Sequence, residues 1–266
     1  MKNRLFVLVM IAAVVASLLV CGCRHKKNVR YPVQFELLPG LDVLPSELMA
    51  AALCWGDVDD GRGGLYADLL EEEDGFEFQL REVTPLEGVV HVAYPVGMSQ
   101  SEKGEVCIEP KQGSFPLGKQ MVYYGESTKG TKGTLVMKAT CGVIRLHLTT
   151  PEKLEKVLIG TDDSNHYMAG DFVVSNYPFP VITPTERSVR SIEMGGRRLE
   201  KLDFTQGEDA CFAVAPGCYN TFTVKMTTVD GRVCTKHLKA GNSVVVDRNR
   251  VCTVILGGPD QELVFE

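Results

Sequence analysis

The sequence predicts an all-β protein made of two sandwich-type units, and three observations carry that expectation. Short apolar runs, several with strict apolar/polar alternation, recur along nearly the whole chain and are separated by Gly, Pro, Asn or Asp. Helical periodicity is almost absent; residues 45–53 are the best short helix candidate, with a strand entry as the other reading. Glu126-Ser127-Thr128-Lys129-Gly130-Thr131-Lys132-Gly133 is polar, glycine-spaced and free of apolar residues, which is how a linker looks. These place an N-terminal β-sandwich at 31–126, a linker at 127–134 and a C-terminal β-sandwich at 135–266.

The chain opens on the positive segment Met1-Lys2-Asn3-Arg4, then a run at 5–20 that is apolar but for Ser17, then Val20-Cys21-Gly22-Cys23. A charged start, an apolar middle and a small-residue exit are the requirements of a secretory signal. The apolar run is 16 residues, short of the roughly 20 that a membrane-spanning helix needs. The exit resembles a bacterial lipobox with Cys23 as the lipidated residue, which makes 1–22 the signal peptide and 23–30 a lipidated N-terminus with a short basic spacer. That resemblance implies three acyl chains, palmitate among them, on Cys23. A single chain holds a membrane only marginally, whereas two or more anchor firmly. Removal of 1–22 leaves 244 residues, enough for one large or two small domains. With 26 basic and 34 acidic residues the remainder carries a net charge of −8, which argues against a nucleic-acid partner.

Strands are expected in order as follows. Residues 33–37 and 76–80 alternate apolar with polar, and 89–94 is a more buried run. Between them Glu71-Glu72-Glu73-Asp74 reads as a solvated acidic loop. Strands at 106–108 and 121–124 complete the first unit. In 135–148 the apolar parity is odd at Leu135, Met137, Ala139 and Cys141 and even at Ile144, Leu146 and Leu148. A change of face at Gly142 is what a β-bulge or a sheet-crossing bend produces. Further strands follow at 156–159, 170–174, 191–194, 211–214, 222–229, 233–238, 244–246 and 251–256, with Asp230-Gly231 as a hairpin turn between 222–229 and 233–238.

Seven cysteines follow Cys23, an odd number that cannot all pair within one chain. Several lie inside strand-like apolar runs, where Cys behaves as a small hydrophobe; Cys211 and Cys218 are the pair nearest in sequence. The five histidines are scattered singly and no Cys/His spacing suggests zinc. Asp57-Val58-Asp59-Asp60-Gly61 has the wrong glycine position, and Asp68 instead of Glu at position twelve, for a calcium loop. No phosphate loop, nucleophile elbow or metal-protease helix is present, so neither enzymatic activity nor a metal or other cofactor is expected. Trp55 is the single tryptophan, so an aromatic carbohydrate platform would have to come from tyrosines such as Tyr123, Tyr124 and Tyr219.

Three stretches resemble the fimbrillin family of surface lipoproteins from the Bacteroidetes. They are Val89-Val90-His91-Val92-Ala93-Tyr94-Pro95, the run at 135–148, and Phe212-Ala213-Val214-Ala215-Pro216-Gly217 leading through Asp230-Gly231 to Arg248-Asn249-Arg250. The resemblance spans most of the chain beyond Cys23. It implies two tandem transthyretin-like β-sandwich domains, a structural role in outer-membrane fimbriae at the cell surface, and partnership with other fimbrial subunits or with further copies of itself. Stalk subunits of that family lose their first strand to an Arg-specific protease, and a neighbour's donated strand fills the groove by β-augmentation. On that pattern 33–37 is the lost strand, Arg62 the exposed cleavage residue ahead of the less accessible Arg81, and Leu263, Val264 and Phe265 of the tail 261–266 the donor. Anchor subunits keep both lipid and first strand. A surface-tethered β-sandwich that binds glycans or host proteins without polymerising is the alternative reading.

Overall fold

The computed structural model describes residues 28–36, 38–39, 50–57, 64–82, 85–86, 88–96, 104–113, 117–127, 133–196, 199, 201–238, 243–258 and 262–266. The architecture is all-β. Along the first half run β1 (Arg30–Phe35), β2 (Ala51–Gly56), β3 (Leu65–Glu72), β4 (Gly75–Leu80) and β5 (Val90–Tyr94). β6 (Glu105–Ile108) and β7 (Lys111–Gln112) follow, then a helical turn at Leu117–Gln120, β8 (Tyr123–Ser127) and β9 (Leu135–Ala139). Among the described residues seven of these strands close into a barrel in the order β1-β4-β3-β2-β5-β8-β9. Closure is made by β1, which pairs antiparallel with β4 (Val33 opposite Phe76) and parallel with β9 (Val33 opposite Leu135).

Of the barrel strands, β2 was left open between helix and strand entry, and β3 was not among the expected strands. The end of the helix candidate 45–53 is β2, and 45–49 lie outside the described residues. β2 (Ala-Ala-Leu-Cys-Trp-Gly) is almost wholly buried, so its pattern lacks the polar alternation that marks a half-exposed strand. β3 carries Glu71 and Glu72 at its end, and the tight β3–β4 hairpin turns at Glu73-Asp74 with Gly75 at φ 141°. The acidic run is exposed as expected, but half of it is strand.

In the second half come β10 (Gly142–Thr149), β11 (Leu154–Thr161), β12 (Gly170–Ser175), β13 (Val181–Pro184), β14 (Ser191–Gly195) and β15 (Glu208–Val214). β16 (Gly217–Tyr219), β17 (Phe222–Thr228), β18 (Val233–His237), β19 (Val244–Val246) and β20 (Val251–Gly257) complete it. They form a three-stranded sheet β15-β10-β20, a five-stranded sheet β18-β17-β11-β14-β7, and the smaller assemblies β13-β12-β6 and β16-β19. Asp230-Gly231 makes the expected hairpin, with Gly231 at φ 88° and the Thr228 amide donating to the Arg232 carbonyl at 3.0 Å. The change of face at Gly142 is a sheet crossing. Leu135, Met137 and Ala139 belong to β9 in the barrel, whereas Ile144, Leu146 and Leu148 belong to β10 in the three-stranded sheet, all fully buried. A Cβ at Gly142 would lie 2.4 Å from the Asp247 carbonyl oxygen, so the crossing needs glycine.

The hydrogen-bonded sheets do not divide at the expected linker. β8 and β9, which flank it, pair with each other and both belong to the barrel; 128–132 lie outside the described residues. β6 and β7, expected within the first unit, instead pair with β12 and β14 of the second half. One continuous hydrophobic core runs through both halves, from Tyr31 and Phe78 to Met226 and Leu256.

Candidate functional site

The seat of β1 is the first place where the resemblance can be tested against geometry. Pro32 and Gln34 face outward, while Tyr31 is fully buried and Val33 nearly so. Phe35, at the end of the strand, enters an aromatic cluster. Its ring centroid lies 6.0 Å from Phe76, 6.3 Å from Phe78, 5.4 Å from Tyr94 and 5.1 Å from Tyr123, in edge-on or tilted contacts. Burial pushes the Tyr31 hydroxyl up to about 12.

The end of β1 is also held by polar contacts, from Arg248 in the far half of the chain and from β9 beside it. Arg248 Nη1, in the turn between β19 and β20, donates to Glu36 Oε2 at 2.7 Å and to the Ala139 carbonyl at 2.9 Å. The Ala139 amide donates to the same Glu36 oxygen at 3.2 Å, the Glu36 amide to the Met137 carbonyl at 2.8 Å, and Lys138 Nζ stands 3.7 Å from Glu36 Oε1. Arg248 and Glu36 are partly buried, where a charge-assisted bond is stronger than on an open surface. The two residues are 212 positions apart and no local pattern announces their meeting. Arg30 ties the other end of β1 to Glu72 and Glu77 on the barrel exterior.

The tail is the second place. Leu263 and Phe265 are half-buried against the core, and Val264 is 57% exposed. The tail lies along the outer edge of β18: the Val233 amide donates to the Glu266 carbonyl at 2.8 Å and the Glu266 amide to the Val233 carbonyl at 3.1 Å. Lys236 Nζ donates to the Glu262 carbonyl at 3.1 Å. The expected donor residues are therefore engaged within their own chain. Two glycines with positive φ, Gly257 at 86° and Gly258 at 97°, turn the chain from β20 toward this seat. A groove of about 410 Å³ flanks Leu263, walled by Thr149, Pro151, Glu152 and Thr205.

Cys23 and Arg62 lie outside the described residues. Arg81 is in a surface cluster, with Nη2 2.7 Å from Asp68 Oδ1 and its guanidinium over the Tyr66 ring. Asp57 is occupied by the backbone: its Oδ1 accepts from the Val89 amide at 3.1 Å. Among the described residues no group of His, Cys, Asp and Glu is arranged to hold a metal ion, and no helix is long and apolar enough to cross a membrane. His91 stacks on Trp55 at 5.6 Å, with Nδ1 2.9 Å from the Tyr124 hydroxyl, and His147 Nδ1 is 2.7 Å from Asp209. Both are packed or surface histidines, as expected. Cys54, Cys107, Cys141, Cys211 and Cys234 are buried, and Cys218 is a free thiol that donates to Asn220 Oδ1 at 3.6 Å, so the 211–218 bridge is not made.

No protein-family model matches this sequence, and no curated protein is similar to it. Solved structures are similar in fold. A candidate cell adhesion protein from Bacteroides ovatus aligns with 90% of this chain and 95% of its own length at 9% identity and a TM-score of 0.55. A second, from Bacteroides uniformis, aligns with 90% of this chain and 97% of its own length at 13% identity and a TM-score of 0.52. At these identities the likeness is one of fold.

Proposed function

We propose that the chain is a lipid-anchored structural subunit of a cell-surface fimbrial assembly, of the kind that keeps its first strand. The observation that carries the reading is the position of β1 and β2 relative to arginine. Residues 36–61 contain no arginine, so an Arg-specific cut beyond β1 falls at Arg62 at the earliest and releases β2 as well. β1 sits between β4 and β9, and β2 between β3 and β5. Losing both would split the barrel into β4-β3 and β5-β8-β9, which one donated strand cannot reunite. An untrimmed anchor or tip subunit avoids that loss.

Three further features support the reading. Cys23 stands in a lipobox-like setting. The fold is shared along nearly the whole chain with proteins described as candidate cell adhesion proteins. The segment 262–266 is bonded to the β18 edge behind a glycine turn, a position suited to joining a neighbour. The transthyretin-like pairing of two sandwiches is replaced in this reading by a barrel that shares its core with the second half.

The test is the mature N-terminus of protein recovered from the cell surface, read by intact mass and peptide mapping. The expected species begins at acylated Cys23 and retains β1, and Cys23→Ala releases it from the membrane. A mature N-terminus at Gly63, with gel-stable multimers, overturns the reading.

A further inference from the structure

We propose that the solvent face of the β12–β13 hairpin is a membrane-contact site, with Phe179 seated at the boundary of headgroups and acyl chains in the bilayer that holds the lipid anchor. The inference rests on the reading of Cys23 as acylated and adds a second, non-covalent point of attachment.

The hairpin carries apolar side chains on both of its faces. Phe172 and Val174 of β12 are buried, and Ile182 of β13 packs partly against the same core. On the other face Val173 is 47% exposed and Val181 51%, and in the turn between the strands Phe179 is 72% exposed. Val173 stands opposite Thr183 and Val181 opposite Ser175, so these four side chains share the outward face. From Val173 to Thr185 the chain has no charged residue. Glu105, opposite Val173 on the neighbouring β6, is paired with Arg187, whose Nε also bonds Asp171 at 2.6 Å. Exposed apolar side chains gathered on one face mark an interaction surface, whereas scattered single ones do not.

Two observations say what lies against that face. β13 is the outer strand of its sheet, but Pro180 and Pro184 bracket it and lack the amides that a docking strand would bond. The contact is therefore made by side chains and not by strand addition. The anchor supplies the second observation. Cys23 and Asn28 are five residues apart, a span of at most about 18 Å. The start of β1 is thus held close to the bilayer, and the hairpin is fastened beside β1. The Tyr177 hydroxyl donates to the Val136 carbonyl at 3.2 Å, and Val136 pairs with Gln34 of β1. Gln34 is four residues from Arg30, about 13 Å along the strand. Tyr177 also packs edge-on to Tyr124, with ring centroids 6.3 Å apart, so the base of the turn is fixed while Phe179 stays exposed. An uncharged surface of aromatic and β-branched side chains with a tyrosine at its base suits the boundary between headgroups and acyl chains. Two points of attachment fix how the chain is oriented on the membrane, which one point does not.

The experiment uses the full acylated chain in vesicles of phosphatidylethanolamine and phosphatidylglycerol, made with or without acyl chains brominated near the headgroup, which quench indole emission at short range. The unsubstituted chain reports Trp55 alone, which is 6% exposed, and its emission is expected to be the same in both kinds of vesicle. The indole introduced by Phe179→Trp is expected to emit at shorter wavelength and to lose emission in the brominated vesicles. Val181→Trp is expected to be quenched as well, whereas Ile255→Trp, at an exposed site on β20, is not. Should Phe179→Trp fail to fold, Val181→Trp set against Ile255→Trp carries the test. Equal emission in the two kinds of vesicle for Phe179→Trp and Val181→Trp overturns the proposal and leaves the face to a soluble partner. Equal quenching at all three substituted sites also overturns it. Intact mass reports acylation of Cys23 separately, so an acylated chain with unquenched indoles sinks this inference and leaves the subunit reading standing.

Discussion

In the barrel each of the seven strands has a neighbour on both sides, while the other sheets end at β15 and β20, β18 and β7, β13 and β6, and β16 and β19. The two regions manage the same hazard, an unpaired strand edge, by different means. Closure removes the edge altogether and fills the interior with aromatic rings, so the barrel accepts no further strand unless β1 leaves. The second half keeps open sheets and covers two edges locally, one with the Gln112 side chain and one with the tail. A cover of one side chain or five residues is removable in a way that a barrel closure is not. Both removable covers therefore belong to the sheets outside the barrel.

That contrast is sharpest in what core mutations should do. Phe78 is fully buried within the ring cluster, and Phe78→Ala is expected to cost about 3–5 kcal/mol. In a domain of this size that is a fall in Tm of roughly 10 °C. Because the core is continuous through both halves, calorimetry should show one transition; two well-separated transitions would break the comparison by making the halves independent.

Gln112→Ala tests the sealed edge. It leaves the buried amide and carbonyl of Ala213 without the bonds they now have, an expected loss of about 2 kcal/mol in urea unfolding. It should also introduce concentration-dependent self-association through β15. An unchanged denaturation midpoint would show that the seal is dispensable.

Arg248→Ala removes the bond that the second half makes to β1. A loss of about 1 kcal/mol is expected, with faster hydrogen exchange confined to the ends of β1 and β9. Uniform loss of protection across the chain would mean that β1 is not individually fastened.

The smallest effect is chemical. Burial pushes the Cys141 thiol up to about 11 from an ordinary 9, and it pushes Cys54 up as well. At pH 8 mass spectrometry after brief alkylation should find the half-exposed Cys218 modified and Cys54 and Cys141 intact. The folded state favours the protonated Cys141 thiol. Its contribution is therefore fully present below pH 9 and is lost as pH rises through 11, so stability should decline on the alkaline side of that window.

How much of this was legible depended on distance along the chain. The Asp230-Gly231 hairpin and the change of face at Gly142 were readable because turn chemistry and period-two alternation act over a few residues. β2 stayed ambiguous between helix and strand entry because a fully buried strand has no polar face to betray its period, and β3 was missed because Glu71 and Glu72 sit at an exposed strand end that looks like loop. The expected linker was flanked by two paired strands because a glycine-spaced polar stretch serves a hairpin loop as well as a domain junction.

The sequence by itself determined an all-β chain with a secretory, lipobox-like start as its expectation, an acidic balance and an alternating apolar tail. Only the tertiary structure decided that β1 closes a barrel, that Arg248 reaches Glu36 across 212 positions, and that the tail lies on β18. The physical reason is that a strand's local pattern states which face is apolar but not which edge will be its neighbour. That choice is made by the closing of long loops around a shared core, where contacts far apart in sequence outweigh any local preference.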